Sequence, residues 1–147
     1  MIELRKLIEE NFSECLDLKV AANQQTFVAP NVLSLAEAWL YYDSAYPFAI
    51  YSDGIMVGFV LITFDKDVNK YWICRFMIDE KHQNKGYGKL ALKEVIDYIV
   101  NTFKATELFL SFEPENLCAK RLYESSGFED TGEINEGELV MRLVVSA

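Results

Sequence analysis

A short loop with two glycines joins a predicted strand to a predicted helix, and it constrains the fold of this chain most. The loop at 83–88 (Gln-Asn-Lys-Gly-Tyr-Gly) follows the mostly apolar segment 71–78 and precedes a helical pattern that continues to about residue 103. The first turn of a helix has N–H groups without intrahelical partners and carries partial positive charge. Because glycine has no Cβ, an anion can approach the main chain closely there. The loop therefore predicts an anion-binding site, with a simple strand-to-helix turn as the alternative.

The spacing and the position of the glycines argue against two better-known phosphate-binding loops. A P-loop needs four residues between its glycines, followed by Lys and Ser or Thr. The dinucleotide fingerprint has Ala91, a tolerated variant, at its third glycine, but this loop lies late in the chain, after four predicted strands, and not in an opening βαβ unit. Four basic side chains nevertheless surround the loop: Lys81, His82, Lys85 and Lys89.

Composition limits the class of protein. At 147 residues the chain has the length of one domain, 1–147, with 51% hydrophobic and 25% charged residues as in soluble globular proteins. The longest apolar run, 57–64, is far shorter than the roughly 20 residues that span a bilayer. The N-terminus has no secretion signal, so we expect no membrane partner and a cytoplasmic location.

The net charge and the numbers of cysteines and histidines argue against nucleic-acid-binding, disulfide-rich and metal-binding proteins. The net charge of −9 argues against a nucleic-acid partner, since phosphates would be repelled. Three widely spaced cysteines and one histidine support neither a disulfide framework nor a metal site.

Periodicity and turn signals predict the element order β-α-α-β-β-β-α-β-α-β-β. Asn11 is predicted to cap the first helix, and Ser34 with Glu37 forms a capping-box pattern at the second. The predicted strands are 2–6, 48–52, 56–64, 71–78, 107–111, 128–134 and 138–145; the predicted helices are 11–20, 34–42, the one ending near 103, and 116–126.

This order predicts an α+β fold: a mixed, mostly antiparallel seven-stranded sheet flanked by about four helices. The helix between strands 71–78 and 107–111 is a crossover, which should make these two strands parallel. If they diverge, a cleft opens beside the glycine loop.

A second candidate site lies on the predicted helix 116–126. Asn116 and Tyr123 are seven positions apart, so they nearly eclipse each other, with Cα atoms roughly 10 Å apart along the axis. A thin ligand could contact both side chains. Alternatively, Asn116 caps the helix and Tyr123 packs on the sheet.

Two motifs together resemble those of the GNAT superfamily of N-acetyltransferases, over essentially the whole chain. The Gln-x-x-Gly-x-Gly loop at 83–88, preceded by Phe-Met-Ile-Asp at 76–79, resembles the acetyl-CoA pyrophosphate motif of that family. The pattern Asn116-x-x-Ala119-x-x-x-Tyr123-x-x-x-Gly127-Phe128 resembles its second cofactor motif. Segments 75–80 and 119–123 are similar to bacterial diamine and spermine/spermidine acetyltransferases of the Blt type.

The resemblance implies transfer of an acetyl group from the cosubstrate acetyl-CoA to a primary amine, such as spermidine, spermine or a diamine. The cofactor arm would pair with the edge of strand 76–78, and an N–H near Met77 or Ile78 would stabilise the oxyanion. Tyr123 would protonate the departing thiolate as the catalytic acid. The implied cofactor-binding residues are Phe76, Met77, Ile78, Gln83, Asn84, Lys85, Gly86, Tyr87, Gly88, Lys89 and Asn116.

The general base is the point at which the chain departs from the family pattern. Many relatives carry an acid two positions before the Phe76 equivalent, where this chain has Cys74. A thiol of ordinary pKa, about 8.5, is a poor substitute, and a water chain or another acid, such as Glu37 or Glu113, could serve instead. The acidic side chains Glu37, Asp43, Glu113 and Glu115 either surround an acceptor site or are solvated surface charges. Likewise, the aromatics Trp39, Tyr41, Tyr42, Tyr46 and Phe48 form either an acceptor pocket or core.

Two other functions stay open at this point. One is acetylation of a protein N-terminus or lysine, which needs loop 21–31 to stand away from the cleft. The other is a catalytically silent acyl-CoA-binding module, which Cys74 favours and Tyr123 disfavours. Dimers are common in this superfamily, and the final hairpin could pair with a second copy.

Overall fold

Seven strands form one sheet in the computed structural model, which describes residues 1–145. The strands lie in the order β1-β2-β3-β4-β5-β7-β6, and every neighbouring pair is antiparallel except β4 and β5. This confirms the predicted mixed, mostly antiparallel sheet. The strands are β1 Ile2–Lys6, β2 Ala45–Ser52, β3 Ile55–Asp65, β4 Lys70–Ile78, β5 Glu107–Phe112, β6 Glu129–Asn135 and β7 Glu138–Val144.

Helices cover both faces of the sheet. Leu92, Val95 and Ile99 keep the helical spacing predicted for the helix that ends near residue 103, and all three are fully buried in the larger core. The smaller core on the opposite face includes Cys15 and Ala38. The helices are α1 Glu9–Asp17, α2 Asn31–Leu40, α3 Tyr87–Phe103 and α4 Leu117–Ser125, with short 3-10 helices at Ala22–Gln24 and Glu80–His82.

The predicted start of α1 is wrong, because Asn11 lies inside the helix. Its side-chain oxygen accepts a hydrogen bond from the Ile8 N–H at 2.8 Å, and its amide donates to the Lys6 carbonyl and the Tyr51 hydroxyl. Asn11, at the third helical position, thus provides an acceptor for a backbone N–H group at the helix N-terminus. Its side chain is itself buried.

The predicted capping box at Ser34 and Glu37 is also wrong. Helix α2 begins three residues earlier, at Asn31, and Pro30 is its N-cap residue. Asn31 is buried and donates to the Cys15 carbonyl at 2.8 Å, while Ser34 is fully buried. Packing against α1 therefore decides this boundary.

Strands β4 and β5 separate, as the cleft prediction required. They pair in parallel only from Tyr71 opposite Leu108 to Ile73 opposite Leu110. On the other edge of β4, Leu61 pairs with Arg75 and Ile62 with Ile73, so Cys74 is the extra residue of a β-bulge. A bulge bends a strand and increases its local twist, which helps β4 to leave β5 at this point.

Candidate active site

A cleft of about 220 Å³ opens where β4 leaves β5. Its walls are the end of β4, the glycine loop and the start of α4. We call it the glycine-loop cleft. Seven of the predicted site residues line it: Phe76, Met77, Ile78, Gln83, Asn84, Gly88 and Asn116.

The other predicted loop residues lie beside this lining. Lys85, Gly86, Tyr87 and Lys89 belong to the loop and to the first turn of α3, where Gly86 is the N-cap residue with φ of 83°. Positive φ is accessible to glycine at little cost. Among residues 1–145, no side chain caps the first turn of α3, so its N–H groups are available to an anion.

The lysine side chains near the loop are likewise available to an anion. Within residues 1–145, the ion pairs include none with Lys81, Lys85 or Lys89. Although the chain has a net charge of −9, these lysines make the start of α3 locally positive, so that it attracts an anion.

The end of β4 presents an open backbone edge to the cleft. The Asp79 N–H donates to the Val57 carbonyl of β3, and the Ile78 carbonyl on the opposite edge accepts from Gln83 Nε2 at 3.0 Å. Since successive residues of a strand direct their N–H and C=O groups to alternate sides, Phe76 and Ile78 face the cleft. Met77 directs its backbone groups to β3.

Asn116 caps α4, which is one of the two roles predicted for it. Its side-chain oxygen accepts from the Ala119 N–H at 3.3 Å. Since Asn116 also lines the glycine-loop cleft, its amide group can cap the helix and contact a ligand at the same time.

Tyr123 lies beside the cleft rather than in its lining. The ring is buried between Phe112 and Phe128, with centroids 5.9 and 6.1 Å away. Burial, with a smaller contribution from the Glu138 carboxylate, raises the pKa of Tyr123 to about 12. The side chain is therefore a neutral phenol at physiological pH and can donate a proton.

A second cavity, of about 430 Å³, lies between the middle of β4, segment 25–30 and the turn of the β6–β7 hairpin. We call it the hairpin cavity. It shares Val28 and Phe76 with the glycine-loop cleft, so the two spaces meet there. Three carboxylates and one guanidinium line it: Glu113, Glu136, Glu138 and Arg75. A cationic ligand therefore suits this cavity.

The candidate bases named from the sequence differ in their surroundings. Burial raises the pKa of the Cys74 thiol, and Arg75 Nη1 donates to its sulfur at 3.3 Å. Cys74 thus stays protonated at neutral pH. Glu37 pairs with Arg75 at 3.3 Å and lies outside the hairpin cavity, whereas Glu113 lines it.

The remaining acidic and aromatic candidates lie elsewhere. Asp43 pairs with Lys66 at 2.7 Å, and Glu115 lines neither of the two spaces. Tyr46 and Phe48 pack on Phe103 and Tyr98, as core residues do. The other three aromatic candidates are exposed on or just after α2: Trp39, Tyr41 and Tyr42.

Segment 21–31 contributes site residues that the sequence did not indicate. Gln24 and Val28 line the glycine-loop cleft, and Gln83 Nε2 donates to Gln24 Oε1 at 3.0 Å. This segment lacks periodicity, so no pattern placed it over the cleft. Leu122 on α4 also lines the cleft.

Two further properties of residues 1–145 concern membranes and metal ions. None of the helices in residues 1–145 combines the length and apolarity needed to cross a membrane. The same part of the chain brings together no group of three His, Cys, Asp or Glu side chains suited to a metal ion.

Sequence comparison identifies relatives along nearly the whole chain. The spermine/spermidine N(1)-acetyltransferase of Bacillus subtilis (strain 168) is 34% identical over 149 residues, covering 95% of this chain and 96% of the relative. A probable spermine N(1)-acetyltransferase of Bacillus subtilis subsp. natto is 33% identical, with the same coverage.

Solved structures share the fold at lower identity. Spermidine N-acetyltransferase from Vibrio cholerae in complex with CoA and spermine aligns with a TM-score of 0.75 at 20% identity, over 96% of this chain and 92% of that one. The aminoglycoside acetyltransferase AAC(6')-Ib in complex with coenzyme A gives 0.81 at 17%, over 98% and 95%. A family model described as Acetyltransferase (GNAT) family matches residues 4–128, and the chain therefore belongs to the GNAT acetyltransferase family.

Proposed function

We propose that this chain, as one domain, transfers the acetyl group of acetyl-CoA to a primary amine of a small polyamine such as spermidine, spermine or a diamine. The proposal rests on one observation: the glycine-loop cleft and the hairpin cavity, which differ in their linings, meet at Val28 and Phe76. One lies beside an uncapped helix N-terminus and suits a diphosphate. The other is lined by carboxylates and suits an ammonium. The polyamine acetyltransferases among the relatives support this acceptor class.

The glycine-loop cleft would hold acetyl-CoA as a cosubstrate. The uncapped first turn of α3 supports contact of the diphosphate with the amides of residues 83–89. The edge of β4 beyond Ile73, where its pairing with β5 ends, supports pairing of the pantetheine arm with Phe76 and Ile78, and Asn116 would hydrogen-bond that arm.

Two groups of this chain would then assist the chemistry. The alternation along β4 favours the Ile78 N–H over that of Met77 as the donor to the developing oxyanion, a contribution of about 3–4 kcal/mol. Tyr123, neutral and buried, would give its proton to the departing thiolate. Binding both reactants in adjoining spaces lowers the barrier by about 7–11 kcal/mol more.

The position of segment 25–30 favours a small acceptor over a protein. A protein substrate needs a wide groove, but these six residues line the hairpin cavity, and Gln24 contacts Gln83 across the glycine-loop cleft. A slim, flexible polyamine fits such a covered space, while a folded surface does not. Tyr123 argues against the silent-module alternative.

The test is release of free CoA thiol from acetyl-CoA with a panel of amines. We expect turnover with spermidine, spermine or diamines, and little or none with aminoglycosides, amino acids or peptides. Peptide turnover would instead favour the protein acetyltransferase. Tight binding of acetyl-CoA without turnover of any amine would favour the silent module.

The cysteines provide an independent test of the cofactor position. Cys118 is exposed and lines the glycine-loop cleft, whereas Cys15 is fully buried with its pKa raised by burial to about 11. Acetyl-CoA at about ten times its Kd should slow alkylation of Cys118 by iodoacetamide about ten-fold. Cys15 should stay unmodified with or without the ligand. Mass spectrometry of the peptides measures both rates, and an unprotected Cys118 would count against this cofactor position.

We further propose that the protein acts in the cytoplasm as a homodimer, independently of nucleic acid and membranes. All seven residues of the edge strand β6 are exposed, and an unpaired edge can add a strand from a second copy. Sedimentation equilibrium should give twice the mass of the chain, and a monomer mass would dismiss this part of the proposal.

A further inference from the structure

The proposed reaction needs a proton acceptor, and β4 does not provide one. A primary alkylammonium has a pKa of about 10.4, like that of lysine, so the acceptor arrives protonated at neutral pH. Cys74 is a buried thiol whose pKa is raised, and Glu37 is held by Arg75 outside the hairpin cavity. Another group must therefore take the proton.

Glu138 is the carboxylate of the hairpin cavity that the fold holds in place. It opens strand β7, which lies between β5 and β6, so a residue far along the chain stands beside the end of β5. Ser111 Oγ of β5 donates to Glu138 Oε1 at 2.7 Å. Glu136, by contrast, is exposed in the hairpin turn.

Glu138 shares the hairpin cavity with Cys74, and its charge acts on both Cys74 and Tyr123. Its charge contributes to the raised pKa of Tyr123 on α4 and to that of Cys74 on β4. With Arg75 of β4, Glu113 after β5 and Glu136 in the turn, these are the titratable and charged groups around it.

We propose that Glu138, oriented by Ser111, is the general base that takes the proton from the acceptor ammonium in the hairpin cavity. This inference rests on the proposed function. Glu138 on β7 thus provides the carboxylate that this chain lacks on β4, where Cys74 stands. It does so across the gap between β4 and β5.

The protons balance as follows. The ammonium gives one proton to the Glu138 carboxylate, and the neutral nitrogen forms its bond to the acetyl carbon while the carbon–sulfur bond breaks. The thiolate takes the phenolic proton of Tyr123, and the second proton lost by the nitrogen restores the phenol. Because a protonated Glu138 is uncharged, it no longer opposes ionisation of Tyr123, so the phenol becomes a stronger acid when the thiolate leaves.

The test compares Glu138→Gln with Glu94→Gln, which removes the same charge from an exposed position on α3, outside both spaces. Glutamine can still accept from Ser111, so the fold and the Kd for acetyl-CoA should be kept. We expect kcat with spermidine at neutral pH to fall about 100-fold or more in Glu138→Gln. Glu94→Gln should match the wild type.

The pH profile separates a base from a charge that only binds the acceptor. Between pH 6 and 8, kcat/KM of the wild type and of Glu138→Asp should vary little with pH. In Glu138→Gln it should rise about ten-fold per pH unit, since only the free amine can react. A higher KM with an unchanged kcat and pH profile in Glu138→Gln would overturn the inference. A wild type without polyamine turnover would instead overturn the proposed function.

Discussion

Replacing Tyr123 by phenylalanine should lower kcat at least about ten-fold, a loss of about 1.4 kcal/mol of transition-state stabilisation, with nearly unchanged affinity for acetyl-CoA. The phenol is buried beside the β4–β5 gap, and its raised pKa keeps it protonated. Phenylalanine keeps the ring packing against Phe112 and Phe128 but removes the proton donor. Steady-state kinetics with spermidine and calorimetric titration with acetyl-CoA measure the two effects.

Tyr98→Phe is the matched control for this change. Tyr98 is a partly buried tyrosine on α3 that packs on Phe48 and Phe103, outside the lining of both spaces. It should keep full kcat. If Tyr123→Phe also kept full kcat, Tyr123 would be a packing residue and the proton donor would have to be sought elsewhere.

Gly58→Ala should destabilise the protein and weaken binding of acetyl-CoA. Gly58 lies on β3 opposite Ile78, and a Cβ there would overlap the Met77 carbonyl oxygen and stand 3.0 Å from Ile78 Cδ1. Such overlap must displace the end of β4, at a cost of about 1–3 kcal/mol. That end of β4 is the edge at which we place the pantetheine arm.

The two effects of Gly58→Ala are measured separately. A thermal unfolding curve should shift down by roughly 3–4 °C for each kcal/mol lost. Calorimetric titration should show a larger Kd for acetyl-CoA at a temperature at which the variant is folded.

Gly88→Ala is the matched control for stability. Gly88 has an ordinary helical conformation, and a Cβ there would meet only Leu122 side-chain atoms at 3.6 and 3.9 Å. Alanine within a helix is favoured over glycine by about 0.5–1 kcal/mol. The melting temperature should therefore stay the same or rise. A Gly58→Ala variant as stable as Gly88→Ala would contradict the tight packing of β3 on the end of β4.

The order of elements could be predicted because each one carries its own local pattern. Leu92, Val95 and Ile99 repeat with helical spacing, and the Asn116 cap stands directly before its helix. The boundaries of α1 and α2 could not be predicted, since they depend on tertiary contacts. Asn11 and Asn31 reach across to the Tyr51 hydroxyl and the Cys15 carbonyl, and nothing local indicates these bonds.

Sequence motifs indicate one part of the candidate site, and the order of the strands determines another part. The glycine loop and Asn116 lie in sequence patterns, so they could be named in advance. Glu138 is brought beside Ser111 only because β7 lies between β5 and β6. Gly58 looks like an ordinary strand glycine until the register of β3 on β4 is known. Gln24 and Val28 lie in a segment without periodicity, and packing alone places them over the cleft.

A crystal structure of the protein with coenzyme A tests the central claim most directly. We predict that the diphosphate contacts the main-chain amides of residues 83–89, and that the pantetheine arm runs along Phe76 and Ile78 with its sulfur near Tyr123. Coenzyme A bound away from the start of α3 and the open edge of β4 would contradict this account.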